Sequence, residues 1–313
     1  MVRRQVDHAH LHTDKKRSEK KPKRGYGADT ARLFMNAIPT VTTDDLIARY
    51  DVLLLDAYGV LVNKEGALPG AVELIATLNR LGKPYYLVSN TAAHLPERAA
   101  DRYRNFGLDV APERILTAGL LIKPYFEAQG YQGLRCAVLG PEDSFSYVEG
   151  AGARPVSPFD DFDLVLIGDQ DGFPFLDGVD AVLSRLIEKL DEGETVPLVL
   201  PNPDLIFPKA SGFGITSGTV ALIIETALRQ RFPERADVAF VHLGKPQPGL
   251  FEEAVRRAGT RNAVMIGDQV DTDIRGAAGM GLDSALVSGG VSGARLGGKI
   301  RPTYRLESLA PKG

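Results

Sequence analysis

The sequence predicts an α/β protein: a doubly wound, Rossmann-like parallel sheet with a second, large α/β unit inserted into it. Three observations carry this. Short runs of Val, Leu and Ile, too brief for ordinary helices, end on polar residues, as in Val52-Leu53-Leu54-Leu55-Asp56 and Ala263-Val264-Met265-Ile266-Gly267-Asp268. Such runs are the pattern of strands buried on both faces of a parallel sheet. Segments of helical spacing separate them, and the alternation restarts between about Ile115 and Val241 before the first pattern resumes. The expected organisation is a basic arm over 1–28, a core built from 29–115 and 242–313, and an inserted α/β unit over 116–241.

Taken in order, Leu33, Phe34, Ala37 and Ile38, then Leu46 and Ile47, suggest short helices, with Thr42-Thr43-Asp44-Asp45 as an N-cap cluster. The first strand follows and ends at Asp56. Leu61 to Gly66 reads as a short loop or hairpin. Pro69-Gly70 opens a helix whose Ala71, Leu74, Ile75, Leu78 and Leu81 share one face, with Gly82 as its stop. Pro84 to Val88 is the second strand, ending on Ser89-Asn90-Thr91. In the insert, helices are expected over 118–128, 177–190 and 218–231, and strands over 135–139, 163–168 and 195–200. The core resumes with a helix carrying Leu250, Phe251, Ala254 and Val255, the strand 263–266, an acidic loop leading into a Gly/Ala-rich helix, and a last strand, 284–287, ending in the turn Ser288-Gly289-Gly290.

Composition bounds the function. Over 313 residues, 44% hydrophobic and 25% charged content are those of a soluble globular protein. No apolar run reaches the roughly 18 residues that span a bilayer, and the N-terminus lacks the apolar stretch of a signal peptide, so no membrane role and a cytoplasmic location are expected. The single cysteine, Cys136, allows no internal disulfide and lies in a strand-like run without an activating base. Residues 1–24 carry nine Lys or Arg against three acids, leaving a net charge of -9 for the rest of a chain whose total is -3. That body does not fit nucleic-acid binding, and the arm reads as a solvated tail. Within it, Asp7-His8-Ala9-His10-Leu11-His12-Thr13-Asp14 looks like the metal-binding opening of amidohydrolase barrels, but the Lys-rich, apolar-poor continuation excludes the barrel such a site needs.

Ligands of open α/β sheets bind outside the carboxyl ends of the strands. The residues expected there are Asp56, Ser89-Asn90-Thr91, Lys245 and Asp268 with Asp273. Taken alone, Asp56 is open to two readings, a nucleophile or an aspartate capping a tight turn. The ordered set resembles the haloacid dehalogenase (HAD) superfamily from about residue 45 onward. Ser89 follows Asp56 by 33 residues, Lys245 follows Ser89 by 156, and Asp268 follows Lys245 by 23. The long second gap resembles the large α/β (C2-type) cap of the class IIA, NagD-like or p-nitrophenylphosphatase-like branch, as do Pro201-Asn202-Pro203-Asp204, Gly218-Thr219-Val220-Ala221, Gly244-Lys245-Pro246 and Thr272-Asp273-Ile274.

The resemblance implies a magnesium-dependent hydrolase, most simply a phosphatase of a small phosphorylated metabolite. It implies Asp56 as the nucleophile forming an aspartyl-phosphate, and Mg2+ on Asp56, the Tyr58 carbonyl and Asp268. Lys245 would stabilise the negative charge, Ser89, Asn90 and Thr91 would bind phosphoryl oxygens, and Asp273 would support Lys245 or metal-bound water, with Asp271 as its rival. Loops near Asn202 would select the substrate, and pairing through the cap would give a homodimer. The chemistry agrees, because a carboxylate attacking a phosphoryl dianion needs cations beside both.

One position departs from the pattern. Family phosphatases carry a second aspartate two residues after the nucleophile to protonate the leaving alkoxide, and this chain has Tyr58 there. General acid catalysis contributes typically about 10²–10⁴-fold, and a tyrosine with a reference pKa of about 10 is a weak substitute. Asp56-Ala57-Tyr58-Gly59 also resembles the first motif of 2-haloacid dehalogenases, which use no metal. A C–halogen hydrolase and a ligand-binding protein with impaired catalysis are therefore the alternatives. A replacement acid could come from the insert, with Asp169 or Asp171 as candidates.

Overall fold

The structure, a computed structural model, describes residues 38–209, 211–288 and 300–311. The basic arm with its Asp7 to Asp14 motif, the expected helical positions Leu33, Phe34 and Ala37, and Gly289-Gly290 lie outside the described residues. The chain enters through strand β1 (Thr40–Val41), helix α1 (Thr43–Arg49), β2 (Val52–Leu55), α2 (Ala71–Arg80), β3 (Tyr85–Ser89), α3 (Pro96–Asn105) and β4 (Ile115–Thr117). Next come α4 (Ile122–Gln129), β5 (Arg135–Leu139), α5 (Glu142–Gly150), β6 (Arg154–Val156), β7 (Leu164–Ile167), α6 (Phe175–Asp191) and β8 (Leu198–Leu200). The hairpin β9 (Ile206–Pro208) and β10 (Phe213–Ile215) leads to α7 (Ser217–Arg231) and β11 (Val241–His242). The chain closes with α8 (Gly249–Ala258), β12 (Ala263–Gly267), α9 (Arg275–Gly279), β13 (Asp283–Val287) and β14 (Tyr304–Leu306).

Two parallel sheets result. The first has the order β1-β14-β13-β12-β2-β3-β4 and the second β11-β8-β7-β5-β6, with the antiparallel β9–β10 pair beside them. The sequence puts the insert at 116–241, with hinges near 114–117 and 240–243. In the structure β4 still pairs with β3 in the first sheet, and β11 pairs with β8 in the second, so the chain crosses over after Thr117 and returns after His242. Short three- and two-residue strands carry too little periodicity to mark such edges. The strand expected over 195–200 is limited to Leu198–Leu200, and Ala118–Leu121 is a 3-10 turn ahead of α4. Helices α3 and α5 and the β9–β10 hairpin were not read from the sequence.

Alternate residues of β2 enter opposite faces of its sheet. Leu53 and Leu55 pack with Leu74, Ile75 and Leu78 of α2 and with Tyr103 of α3, while Val52 and Leu54 pack with Leu250, Phe251 and Ala254 of α8. The second sheet repeats the arrangement, with Val165 and Ile167 toward α6 and α7, and Cys136, Leu164 and Leu166 toward Phe126 of α4. Burial pushes the Cys136 thiol up, away from its reactive thiolate form. Thr42 caps α1 in a reciprocal box with Asp45, which fixes the entry to β2. No helix among the described residues is long and apolar enough to cross a membrane.

Leu53→Ala removes a fully buried side chain from the centre of the first sheet. It is expected to cost about 2–5 kcal/mol, read as a lower urea midpoint of unfolding.

Candidate active site

The carboxyl edge of the first sheet gathers the polar residues. Asp56 directly follows β2, and its N–H still donates to the Ile266 carbonyl at 2.9 Å, so the ladder holds it up to the last atom before the turn. Ser89 ends β3, and Asp268 follows β12. Lys245 arrives from the loop between β11 and α8. Asp56, Lys245, Asp268 and Asp273 are only 6%, 2%, 1% and 0% exposed. Four charges are therefore buried together, which is tolerable only if they compensate one another.

Lys245 is the compensation. Its Nζ donates to Asp56 Oδ1 at 2.8 Å and to Asp273 Oδ1 at 2.6 Å. Burial works against its ammonium form, but Asp273 and Asp56 more than offset this and hold its pKa above the usual lysine value. For Asp56 the balance is reversed. Burial drives its carboxyl well above the ordinary range against the pull of Lys245, and the charges of Asp273 and Asp268 add to the rise. Asp271, the rival for the contact with Lys245, is instead exposed and paired with Arg275 at 2.5 Å.

Asn90 locks the lysine from behind. Its Oδ1 accepts the Lys245 N–H at 2.7 Å, while its Nδ2 donates to the Lys245 carbonyl at 3.0 Å and to Asp204 Oδ1 at 3.1 Å. The resemblance implies that the Asn90 main chain binds phosphoryl oxygens. Its side chain is a clamp between the two sheets, leaving only its main chain for a ligand. Gly244 is required by the clamp, since a Cβ there would lie 2.5 Å from Asn90 Oδ1.

Asp56, Asp268 and Asp273 offer oxygens within 4.8 Å of one another. Hard carboxylate oxygens suit a hard divalent cation such as Mg2+. Both oxygens of Asp273 are already engaged, Oδ1 by Lys245 and Oδ2 by the Gln269 N–H at 3.2 Å. Asp56 and Asp268 are consequently the better donors. Gly59, at φ +94°, keeps the approach open, because a Cβ there would fall 2.5 Å from Asp268 Oδ2. The residues present fit the ion.

A cavity of about 330 Å³ lies over this cluster between the two sheets. Asp56, Tyr58, Ser89, Asn90, Thr91, Asn202 and Lys245 all line it, so the structure brings the expected residues together. Thr91 Oγ1 accepts the Ala93 N–H at 3.1 Å, and Asn202 Oδ1 accepts the Asp204 N–H at 3.0 Å, each shaping its own turn. Tyr58 packs edge-on against Phe207 of β9 with ring centroids 5.8 Å apart. Burial raises its hydroxyl pKa, although Arg102 of α3 reaches that hydroxyl and opposes the shift.

Sequence reasoning missed Asp204, Phe207 and Arg102, all in the cavity wall. Asp204 was within reach, being the last residue of Pro201-Asn202-Pro203-Asp204; burial pushes its carboxyl up to about 6. Arg102 sits on an amphipathic helix among other arginines, where nothing in the sequence separates it from a solvated charge.

A doubly wound sheet whose carboxyl edge gathers three carboxylates and one buried lysine, under a second α/β layer, suits an enzyme that works on an anionic group. Profiles of the haloacid dehalogenase-like hydrolases match residues 53–154, and HAD-hydrolase-like profiles match 242–311. The chain belongs to the haloacid dehalogenase superfamily of hydrolases. It is 27% identical over 261 residues to dihydroxyacetone phosphatase of Corynebacterium glutamicum, covering 82% of this chain and 88% of that one. A possible sugar phosphatase of Cytophaga hutchinsonii superposes with a TM-score of 0.77 at 28% identity, over 88% of this chain and all of that one. Glycerol phosphate phosphatase of Mycobacterium tuberculosis, solved with magnesium, superposes with a TM-score of 0.68 at 26% identity, covering 84% and 77%.

Replacing the buried cation tests the charge balance. Lys245→Met leaves Asp56 and Asp273 uncompensated and is expected to cost about 3–5 kcal/mol at neutral pH. Burial already holds the Asp56 carboxyl above its ordinary range and the variant loses the opposing pull of Lys245, so the folded form binds more protons there than the unfolded chain and the deficit shrinks as pH falls. Urea midpoints at pH 7 and pH 5 for variant and wild type check this.

Proposed function

We propose that the protein is a magnesium-dependent phosphatase of a small phosphorylated metabolite, acting in the cytoplasm through an aspartyl-phosphate on Asp56. The observation that carries the reading is the Lys245 ammonium bridging Asp56 and Asp273 beside Asp268 at the floor of the cavity. In this reading Asp56 attacks phosphorus while Lys245 offsets the cost of keeping the buried carboxylate charged. Ser89, Thr91 and the Asn90 main chain receive phosphoryl oxygens, and Asp273 holds the lysine in line. Asp56, the Tyr58 carbonyl and Asp268 would hold the magnesium ion, which when bound supplies positive charge to the phosphoryl oxygens.

The second sheet with its helices acts as a cap that excludes water, and the turn at Asn202 selects the substrate. The C. glutamicum and M. tuberculosis relatives are phosphatases of dihydroxyacetone phosphate and glycerol phosphate by name, which favours small polyol or sugar phosphates. Pairing of two copies through the cap completes the proposal.

Hydrolysis of p-nitrophenyl phosphate tests it, because that leaving group needs little protonation. Wild type with magnesium is expected to turn over, and chelation or Asp56→Asn to abolish it by at least about 10³-fold, the scale of losing the reacting group. Tyr58→Asp is expected to raise activity on alkyl phosphates by restoring an acid two residues from the nucleophile. Halide release from a haloacid without magnesium, or phosphate binding with no turnover, would replace this reading.

A further inference from the structure

An alkyl phosphate leaves as an alkoxide, whose conjugate acid is about as weak as water, pKa about 15.7. The departing oxygen must therefore be given a proton. Among the titratable groups in the cavity wall, Asp56 is the attacking group and Lys245 is spent on the two aspartates. Tyr58 is held in its neutral form by burial, too weak an acid to respond near neutrality. The same holds for Tyr103, further buried beneath it. His94 is shifted by burial toward its neutral form, which has no proton to spare at neutral pH. Asp204 is tied down by the Asn90 amide on the Lys245 side.

Asp169 remains. It stands just past the end of β7, where the second sheet presents its own carboxyl edge to the cavity. Its carboxyl is mostly shielded from water, and Oδ1 accepts the Asp171 N–H at 3.0 Å, which fixes the rotamer. Asp171 itself is exposed. The Arg102 guanidinium that reaches the Tyr58 hydroxyl also acts on the Asp169 carboxyl, so one arginine serves both groups across the cavity wall.

We propose that Asp169, contributed by the inserted unit, is the general acid and base of this site, taking the work that Tyr58 cannot do. The assignment rests on the phosphatase reading above. As Asp56 Oδ bonds to phosphorus and the ester P–O bond breaks, the Asp169 carboxyl gives its proton to the departing alcohol oxygen. The Asp169 carboxylate then takes a proton from water as that water's oxygen bonds to phosphorus, breaking the bond to Asp56 and releasing inorganic phosphate. Burial pushes Asp169 up to about 6 against the Asp171 N–H that it accepts, the Asp171 charge adding to the rise and Arg102 opposing it, and His94 and Lys64 are further ionisable groups in the cavity wall. A carboxyl near 6 can hold a proton for the first step and release it for the second.

The test compares glycerol phosphate with p-nitrophenyl phosphate in wild type, Asp169→Asn and Asp171→Asn. Asp169→Asn is expected to lower glycerol phosphate turnover about 10²-fold or more, while the first-turnover burst of nitrophenolate, which leaves unaided, stays within a few-fold of wild type. Wild-type kcat on glycerol phosphate should fall as pH rises through the Asp169 pKa, and Asp169→Asn should lose that limb. Asp171→Asn keeps the main-chain N–H on Asp169 and should retain turnover of both substrates and the pH limb, with that limb moved to lower pH because the charge that adds to the rise is gone. A wild type active on both substrates with Asp169→Asn unchanged, or with both substrates depressed equally in the burst, overturns the role of Asp169 alone. A wild type inactive on both overturns the phosphatase reading and the Asp169 assignment with it.

Discussion

The structure depends on one buried cation. Lys245, almost inaccessible to solvent, stands between Asp56 and Asp273, with Asp268 beside them. Each of these carboxylates would be expensive to bury alone, and two separate stretches of chain bring them to the same point: Asp56 after β2, and Asp268 and Asp273 in the connection from β12 to α9. The lysine, arriving from the loop after β11, is what lets these two strand ends converge. A buried ion pair is seldom the cheapest way to stabilise a core, since apolar residues of similar volume often do as well. Its retention at the sheet edge is more naturally explained by charge needed for chemistry than by stability.

The lysine must in turn be held in place, and this joins the two sheets. Asn90 grips the Lys245 main chain on both sides and reaches across to Asp204. Close to the same loop, Ser144 Oγ donates to the Ala92 carbonyl at 2.9 Å, the Leu95 N–H donates to Asp143 Oδ2 at 2.9 Å, and the Tyr147 hydroxyl donates to the His94 carbonyl at 2.8 Å. Helix α5 of the inserted unit is thus moored to the loop that follows β3. The residues that shape the catalytic edge and those that attach the second sheet are neighbours in sequence, so movement of one unit is felt directly at Asn90 and Lys245.

What was legible in the sequence follows from this arrangement. A parallel strand buried on both faces writes itself as an unbroken apolar run, and the polar residue that ends the run is at the active edge by geometry; Asp56, Ser89 and Asp268 were readable on that ground alone. Lys245 was readable only through its order and spacing, because a lysine beside Gly244 and Pro246 looks like any surface loop. Arg102 and Phe207 were not readable. Their importance lies in contacts between segments far apart in the chain, and a charge on a helix or an aromatic in a short hairpin carries no local mark of such a partner.

Tyr58 is where these constraints meet. A second aspartate at that position would add another negative charge next to three carboxylates served by one lysine, in a pocket where burial already drives Asp56 upward. The tyrosine avoids that cost and gains an apolar contact, its ring set edge-on to Phe207 of the inserted hairpin, a geometry worth about 0.5–1.5 kcal/mol beyond simple burial. The exchange favours packing of the hairpin over the site and removes proton-transfer capacity from the core sheet. With Asp169 of the inserted unit in the role proposed above, proton transfer to a leaving group depends on the second sheet being seated.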